Sequence, residues 1–131
     1  MSSFAYDVFI SYSSKDAAWV RGDLLPRLER HGLRVCIDVR DFALGAPSVE
    51  EMQRAVLTSR RTLLVLSPHY LASAWTNFER LMTHTLDPDN RARRIIPLLH
   101  APCDPPISIS YLNRIDFTAD QDWDRLDAAL R

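Results

Sequence analysis

Four short apolar runs recur along the chain, Val8-Phe9-Ile10, Val35-Cys36-Ile37, Leu63-Leu64-Val65-Leu66 and Ile95-Ile96-Pro97-Leu98-Leu99, with amphipathic stretches between them. Runs of this length without polar alternation predict strands buried on both faces. The stretches between carry the helical period. From Asp16 to His31, residues Trp19, Val20, Leu24, Leu25 and Leu28 fall on one helix face, and Gly32 stands where the helix stops. Ser48-Val49-Glu50-Glu51, just after Pro47, predicts a capping box for a second helix with Met52, Ala55 and Val56 inward and Arg60-Arg61 as its basic finish. After the third run, Ser67-Pro68 predicts a turn, and Ser73 the cap of a new helix. That helix carries Trp75 and Glu79 in its first two turns and faces Phe78, Leu81 and Met82 inward. Asn113 to Phe117 predicts a weaker fifth strand. Asp122 to Leu130 predicts a closing helix whose Trp123, Leu126 and Leu130 belong to the core.

Strand and helix thus alternate about five times, which predicts an α/β fold: an open parallel sheet with helices on both faces and right-handed crossovers. Such sheets bind ligands outside the carboxyl ends of their strands, where the strand order switches. The segments expected at that edge are Tyr12 to Lys15, Asp38 to Pro47 and Ser67 to Trp75. With 131 residues, 47% of them hydrophobic and 25% charged, the chain is sized for a single domain spanning residues 1–131 around one core.

Charge and composition remove several classes. A net charge of -1, from 16 basic and 17 acidic residues spread along the chain, supplies no field for a polyanion, so nucleic acid is not an expected partner. The densest basic run, Arg91-Ala92-Arg93-Arg94, reads as a loop and strand entry. Cys36 and Cys103 form no CxxC pair, and no stretch has the length or apolarity of a signal peptide or membrane span. A reduced, cytoplasmic protein with no membrane partner is expected. Only Gly22, Gly32 and Gly45 are glycines, so neither a GxGxxG turn nor a phosphate loop of the GxxxxGK type can be written. His31, His69, His84 and His100 are too dispersed for a zinc motif, so no metal is expected, and no GxSxG elbow exists.

What remains is Trp75-Thr76-Asn77-Phe78-Glu79, whose spacing of four places an indole beside a carboxylate on one helix face. No basic residue stands one turn from Glu79 to explain it as a surface ion pair. Tyr12, Ser13, Ser14, Arg40 and Asp41 join it at the expected edge. Plainer roles stand beside these. Trp75 fits a core position and Glu79 a solvated one, Ser13 and Ser14 fit turn and cap positions, Asp7 and Asp38 suit strand-end backbone groups, and Arg40 and Asp41 a surface loop.

The ordered set Tyr6-Asp7-Val8-Phe9-Ile10-Ser11-Tyr12-Ser13, Cys36-Ile37-Asp38-Val39-Arg40-Asp41 with Gly45-Ala46-Pro47, Leu64-Val65-Leu66-Ser67-Pro68 and Ser73-Ala74-Trp75-Thr76-Asn77-Phe78-Glu79 resembles the Toll/interleukin-1 receptor (TIR) domain in a bacterial-type version. The likeness runs from Phe4 to the last helix. It implies a flavodoxin-like sheet of order 2-1-3-4-5, and one of two functions: hydrolysis or cyclisation of NAD+ at a Trp-xxx-Glu site, or non-catalytic assembly through TIR–TIR contacts. On the first, Glu79 is the catalytic residue and Trp75, Tyr12, Ser13, Ser14, Asp38 and Arg40 bind substrate. NAD+ is then substrate and no cofactor is needed. On both, Asp41, Phe42, Leu44, Gly45 and Pro47 form an assembly loop, and activation awaits self-association or a sensor domain or partner elsewhere. The implied setting is prokaryotic immune, antiphage or toxin-like action. The chain departs from relatives in having Ser13-Ser14 where some NAD-cleaving members carry arginines, and Thr76 after the tryptophan in place of cysteine. Gly45-Ala46-Pro47 replaces the receptors' Pro-Gly, and Ile115-Asp116-Phe117 their last aromatic pair, two differences that favour a bacterial effector over a Toll-like adaptor.

Overall fold

The computed structural model describes residues 4–82 and 94–131. Among them, five strands, β1 (Tyr6–Ser11), β2 (Val35–Cys36), β3 (Ser59–Leu66), β4 (Ile95–Leu99) and β5 (Ile115–Asp116), form one sheet in the order β2-β1-β3-β4-β5, every pair parallel. This is the expected flavodoxin-like order. The order reverses at β1, so the carboxyl ends of β1 and β3 border the switch point.

Successive strand residues point to opposite faces, and this divides the core in two. Val8, Ile10, Val35, Leu63, Val65 and Leu98 pack on one face with Val20, Leu24, Leu28, Leu126 and Leu130. Phe9, Cys36, Leu64, Leu66 and Leu99 pack on the other with Ala55, Tyr70, Trp75, Phe78 and Ile109. Apolar runs without alternation are therefore what a sheet covered on both sides requires.

The first crossover is one helical stretch that changes gauge. It opens as a 3-10 turn, Ser14–Asp16, continues as α1 (Ala17–Trp19), widens through a π turn, Val20–Leu24, and closes as α2 (Leu25–Arg30). Pro26 has no N–H to continue the i→i−4 ladder, and the chain answers with a bond from Leu25 N to Val20 O just before it. Gly32, at φ 84°, ends the stretch in a Schellman motif, with Leu33 N bonding Leu28 O at 3.2 Å and Gly32 N bonding Glu29 O at 3.0 Å.

The remaining helices are α3 (Asp38–Asp41), α4 (Ser48–Thr58), α5 (Pro68–Ser73), α6 (Trp75–Met82), α7 (Ile107–Ser110) and α8 (Trp123–Leu130). Four expectations are corrected here. The Ser48 to Glu51 capping box does not form: α4 starts after Pro47 with no side-chain cap, because Glu51 turns to Ala43 N and Arg54. Arg60 and Arg61 lie in β3, since α4 ends at Thr58 and the strand begins at Ser59, immediately before them. Ser67 caps a short helix and not a bare turn, its Oγ accepting from Tyr70 N at 3.0 Å, while Ser73 closes that helix by donating to His69 O at 2.8 Å. The new helix at Trp75 is present. The fifth strand contracts to Ile115–Asp116 from the expected Asn113 to Phe117. Of the basic run, Arg91, Ala92 and Arg93 lie outside the described residues, and Arg94 donates to Val56 O and Ser59 O, each at 3.0 Å. No described helix is long and apolar enough to cross a membrane.

Candidate functional site at the carboxyl edge of the sheet

The carboxyl edge is assembled from the residues that immediately follow the strands. At the end of β1, the Ser11 and Tyr70 hydroxyls lie 2.9 Å apart, tying β1 to α5. Ser13, only 2% exposed, accepts from Lys15 N at 3.3 Å, and its hydroxyl lies 3.3 Å from that of Ser73. Ser13 is thus the cap of the 3-10 turn and also a strut to the α5–α6 corner. Ser14 is exposed.

Tyr12 and Asp38 are brought together. Tyr12 donates to Asp38 Oδ1 at 2.6 Å and accepts from Arg21 Nε at 2.9 Å, and burial, with the bond to Asp38 next in weight, pushes the phenol up to about 12. Asp38 also accepts from Val39 N at 2.8 Å, as a strand-end carboxylate is expected to do. Arg40 is turned away from this group. Its guanidinium bonds Glu29 at 3.0 Å and Val35 O at 2.7 Å, on the β2 side of the molecule.

The loop that follows, residues 42–47, is anchored at both ends and open at its tip. Asp41 accepts from Ile37 N at 2.8 Å, and Phe42 stacks on Phe9 with ring centroids 6.0 Å apart. Gly45, at φ 81°, makes the reversal that leads to Pro47. Leu44 projects into solvent, 103% exposed. A cleft of about 320 Å³ under the loop is lined by Asp38, Phe42, Leu44, Gly45, Ser48 and Glu51 among others. Glu51 holds the loop from below: it is 6% exposed, its Oε1 accepts from Ala43 N at 2.8 Å and Oε2 from Arg54 Nε at 2.8 Å. The Ala43 amide, opposed by burial and aided by Arg54, holds this carboxyl below the usual carboxylate range. Glu51→Ala is therefore expected to speed hydrogen exchange at the Ala43 amide by roughly tenfold, the worth of one charge-assisted bond. Unchanged exchange would show that other contacts hold the loop.

Trp75 and Glu79 share a face of α6 but meet different surroundings. The indole is 7% exposed, with the Tyr70 ring 6.4 Å and the Phe78 ring 6.2 Å from its own. It is a member of the apolar cluster under the sheet. Glu79, one turn on, is half-buried, and its Oε2 accepts from Ser108 Oγ at 2.8 Å. The bond joins α6, which follows α5 in the connection after β3, to α7, in the connection after the neighbouring strand β4.

Sequence reasoning placed Ser67 at this edge but gave it only a turn, and passed over Asp16 and His100 as its partners there. Asp16, 8% exposed, accepts from Ser67 Oγ at 2.5 Å and faces His100 Nε2 at 3.9 Å, and the imidazole stacks on Trp19 with centroids 4.3 Å apart. Ser67 and His100 are the first residues past β3 and β4, so the strand-end rule applied residue by residue locates both. Ser108 carries no such signal.

The sequence matches the TIR domain family over residues 8–130. Mouse Toll-like receptor 6 is 39% identical over 79 residues, 60% of this chain and 10% of that protein, so the chain spans about a tenth of the receptor's length. In structure, the chain resembles the TIR domain of the Toll-related receptor TRR-2 from Hydra magnipapillata, with a TM-score of 0.82 at 28% identity, covering 97% of this chain and 99% of that one. It also resembles a metazoan TIR-STING receptor from C. gigas, with a TM-score of 0.79 at 25% identity over 99% of this chain and 41% of that one. All three are animal proteins, in contrast to the bacterial type expected from Gly45-Ala46-Pro47 and Ile115-Asp116-Phe117. The family match from β1 to the last helix, on a parallel sheet of order β2-β1-β3-β4-β5, makes this chain a member of the TIR domain family.

Proposed function

We propose that this TIR domain cleaves the nicotinamide–ribose bond of NAD+, with Glu79 as its catalytic carboxylate. The observation that carries the reading is the placement of Glu79. A half-buried carboxylate, bonded on one oxygen by Ser108, stands one turn past Trp75 on α6, in the connection that follows the carboxyl end of β3, and open α/β sheets take their ligands beyond those strand ends. Rupture of the C1′–N1 bond sends its electron pair to the pyridinium nitrogen, so nicotinamide departs neutral and needs no proton. The ribose is left oxocarbenium-like, and one carboxylate close to C1′ or its hydroxyls stabilises that charge. Water then bonds to C1′ and releases a proton, giving ADP-ribose, and addition of an adenine nitrogen in place of water gives a cyclic isomer. Tyr12 and Asp38 border the same edge and supply polar contacts, with Ser14 open to the substrate's phosphates. A cytoplasmic signalling or effector role in immunity is the setting that fits this chemistry together with the receptor relatives. The test is nicotinamide release from NAD+ by concentrated protein, with and without a crowding agent. No turnover under conditions where the protein demonstrably assembles would overturn the reading.

A second reading, self-assembly without catalysis, is favoured by the receptor relatives and by the loop tip. Leu44 is fully exposed, with Val39 57% and Val49 53% exposed on the elements that flank the loop. A free domain loses by showing apolar side chains together to water, and a neighbouring subunit would cover them. Assembly and catalysis are compatible, since a neighbour closing this loop over the substrate completes a site that excludes water. Leu44→Asp is expected to shift self-association to higher concentration and to reduce activity per molecule at fixed concentration. Wild-type activity per molecule that stays flat across a wide dilution series would separate the loop from catalysis.

A further inference from the structure

We infer that Ser108 is a positioning residue for Glu79, fixing the carboxylate that the NAD+-cleaving reading, on which this inference rests, makes catalytic. The bond is unusual for its place in the chain. In a one-turn helix, a serine hydroxyl has a nearby carbonyl as its easiest partner, and Ser110 takes that course, donating to Ile107 O at 2.9 Å. Ser108, in the same turn, reaches across to Glu79 Oε2 at 2.8 Å, 29 residues away in sequence.

The turn that presents Ser108 is held firmly. Ile109 is 1% exposed in the cluster that also contains Trp75 and Phe78, and its N–H bonds Pro106 O at 3.0 Å. Leu112 N bonds Ile109 O at 3.0 Å and closes the other side. Pro105 and Pro106 restrict the backbone that leads in. Glu79 and its hydroxyl partner are therefore mounted on two helices that share one core, α6 through Phe78 and α7 through Ile109. A carboxylate otherwise free to turn about three side-chain torsions is held with one oxygen engaged, so less ordering is left to the moment of reaction. Ile107, 91% exposed, and Tyr111, 60% exposed, face away from this contact and leave the turn's inner side to Ser108 and Ile109.

The experiment is steady-state nicotinamide release by assembled wild-type protein, Ser108→Ala and Ser108→Thr, with melting midpoints measured alongside. Ser108→Ala is expected to lower kcat roughly tenfold through lost positioning of the carboxylate, with KM for NAD+ nearly unchanged and the melting midpoint lowered by only a few degrees, as for any lost hydrogen bond. Ser108→Thr, which keeps the hydroxyl, is expected to recover most of the loss. Wild-type kcat in Ser108→Ala overturns the inference and leaves the NAD+-cleaving reading standing. Loss of kcat in Ser108→Thr equal to that in Ser108→Ala also overturns it, because the position would then matter for packing and not for its hydroxyl. Absence of turnover in the wild type removes the NAD+-cleaving reading and the inference together.

Discussion

Glu79→Gln is expected to lower nicotinamide release by about two to three orders of magnitude while leaving the domain folded. The substitution keeps shape and size, and its amide oxygen still accepts the hydrogen bond from Ser108, so the link between α6 and α7 survives. What it removes is the negative charge. If the transition state carries an oxocarbenium-like ribose, the loss falls on kcat, since the charge being stabilised is absent from bound NAD+ at C1′. The measurement is release of nicotinamide at equal, high concentrations of the two proteins, with circular dichroism and melting midpoints matched first. A mutant that retains wild-type kcat refutes the assignment of Glu79, whatever else the domain does. A mutant whose KM rises at constant kcat would place Glu79 in ground-state binding of the ribose hydroxyls instead.

The parts of this molecule that were legible in the sequence are those decided by periodicity. Val8 to Ile10 and Leu63 to Leu66 read as doubly buried strands because both faces of the sheet carry helices, and their short length favours strand over buried helix. Gly32 and Asp122 read correctly as helix stop and helix start, since both act on backbone groups within a few residues, Asp122 Oδ1 accepting from Arg125 N at 3.1 Å. The misreadings came where a local signal met a stronger distant partner. Ser48 to Glu51 has the spacing of a capping box, but Glu51 meets the Ala43 amide and the Arg54 guanidinium and serves the loop. Arg60 and Arg61 suit a helix terminus by charge, but pairing of β3 with β1 from Tyr6 onward draws that segment into the sheet.

The site follows the same division. Which segments reach the carboxyl edge is a matter of topology and was readable. Which side chains meet there is a matter of contacts between elements far apart in sequence, such as Asp16 with Ser67, Tyr12 with Asp38 and Glu79 with Ser108. One chain offers no local pattern for these. Arg40 shows the cost of reading by segment alone: its position in the edge loop is as expected, and its guanidinium is spent on Glu29 and Val35 O.

Trp75→Ala is expected to destabilise the domain by about 3–5 kcal/mol, the range for deleting a buried tryptophan side chain. The indole is 7% exposed and lies against Tyr70 and Phe78, so its removal opens a void where α5, α6 and the sheet meet. The void lies next to Tyr70, whose hydroxyl ties α5 to the end of β1. Chemical denaturation of the two proteins measures the difference, and a loss under about 1 kcal/mol would show that the ring contributes little to the core. Activity in this variant is uninformative by itself, because α6 carries Glu79 and moves when its packing fails. Trp75→Phe separates the two roles. It refills most of the space, so stability is expected to fall by much less than in Trp75→Ala. An unchanged KM for NAD+ in that variant would assign the indole to packing, with Glu79 positioned through it. A raised KM at near wild-type stability would instead give the indole a face on the nicotinamide, reached when a neighbouring subunit or the substrate moves α6 outward.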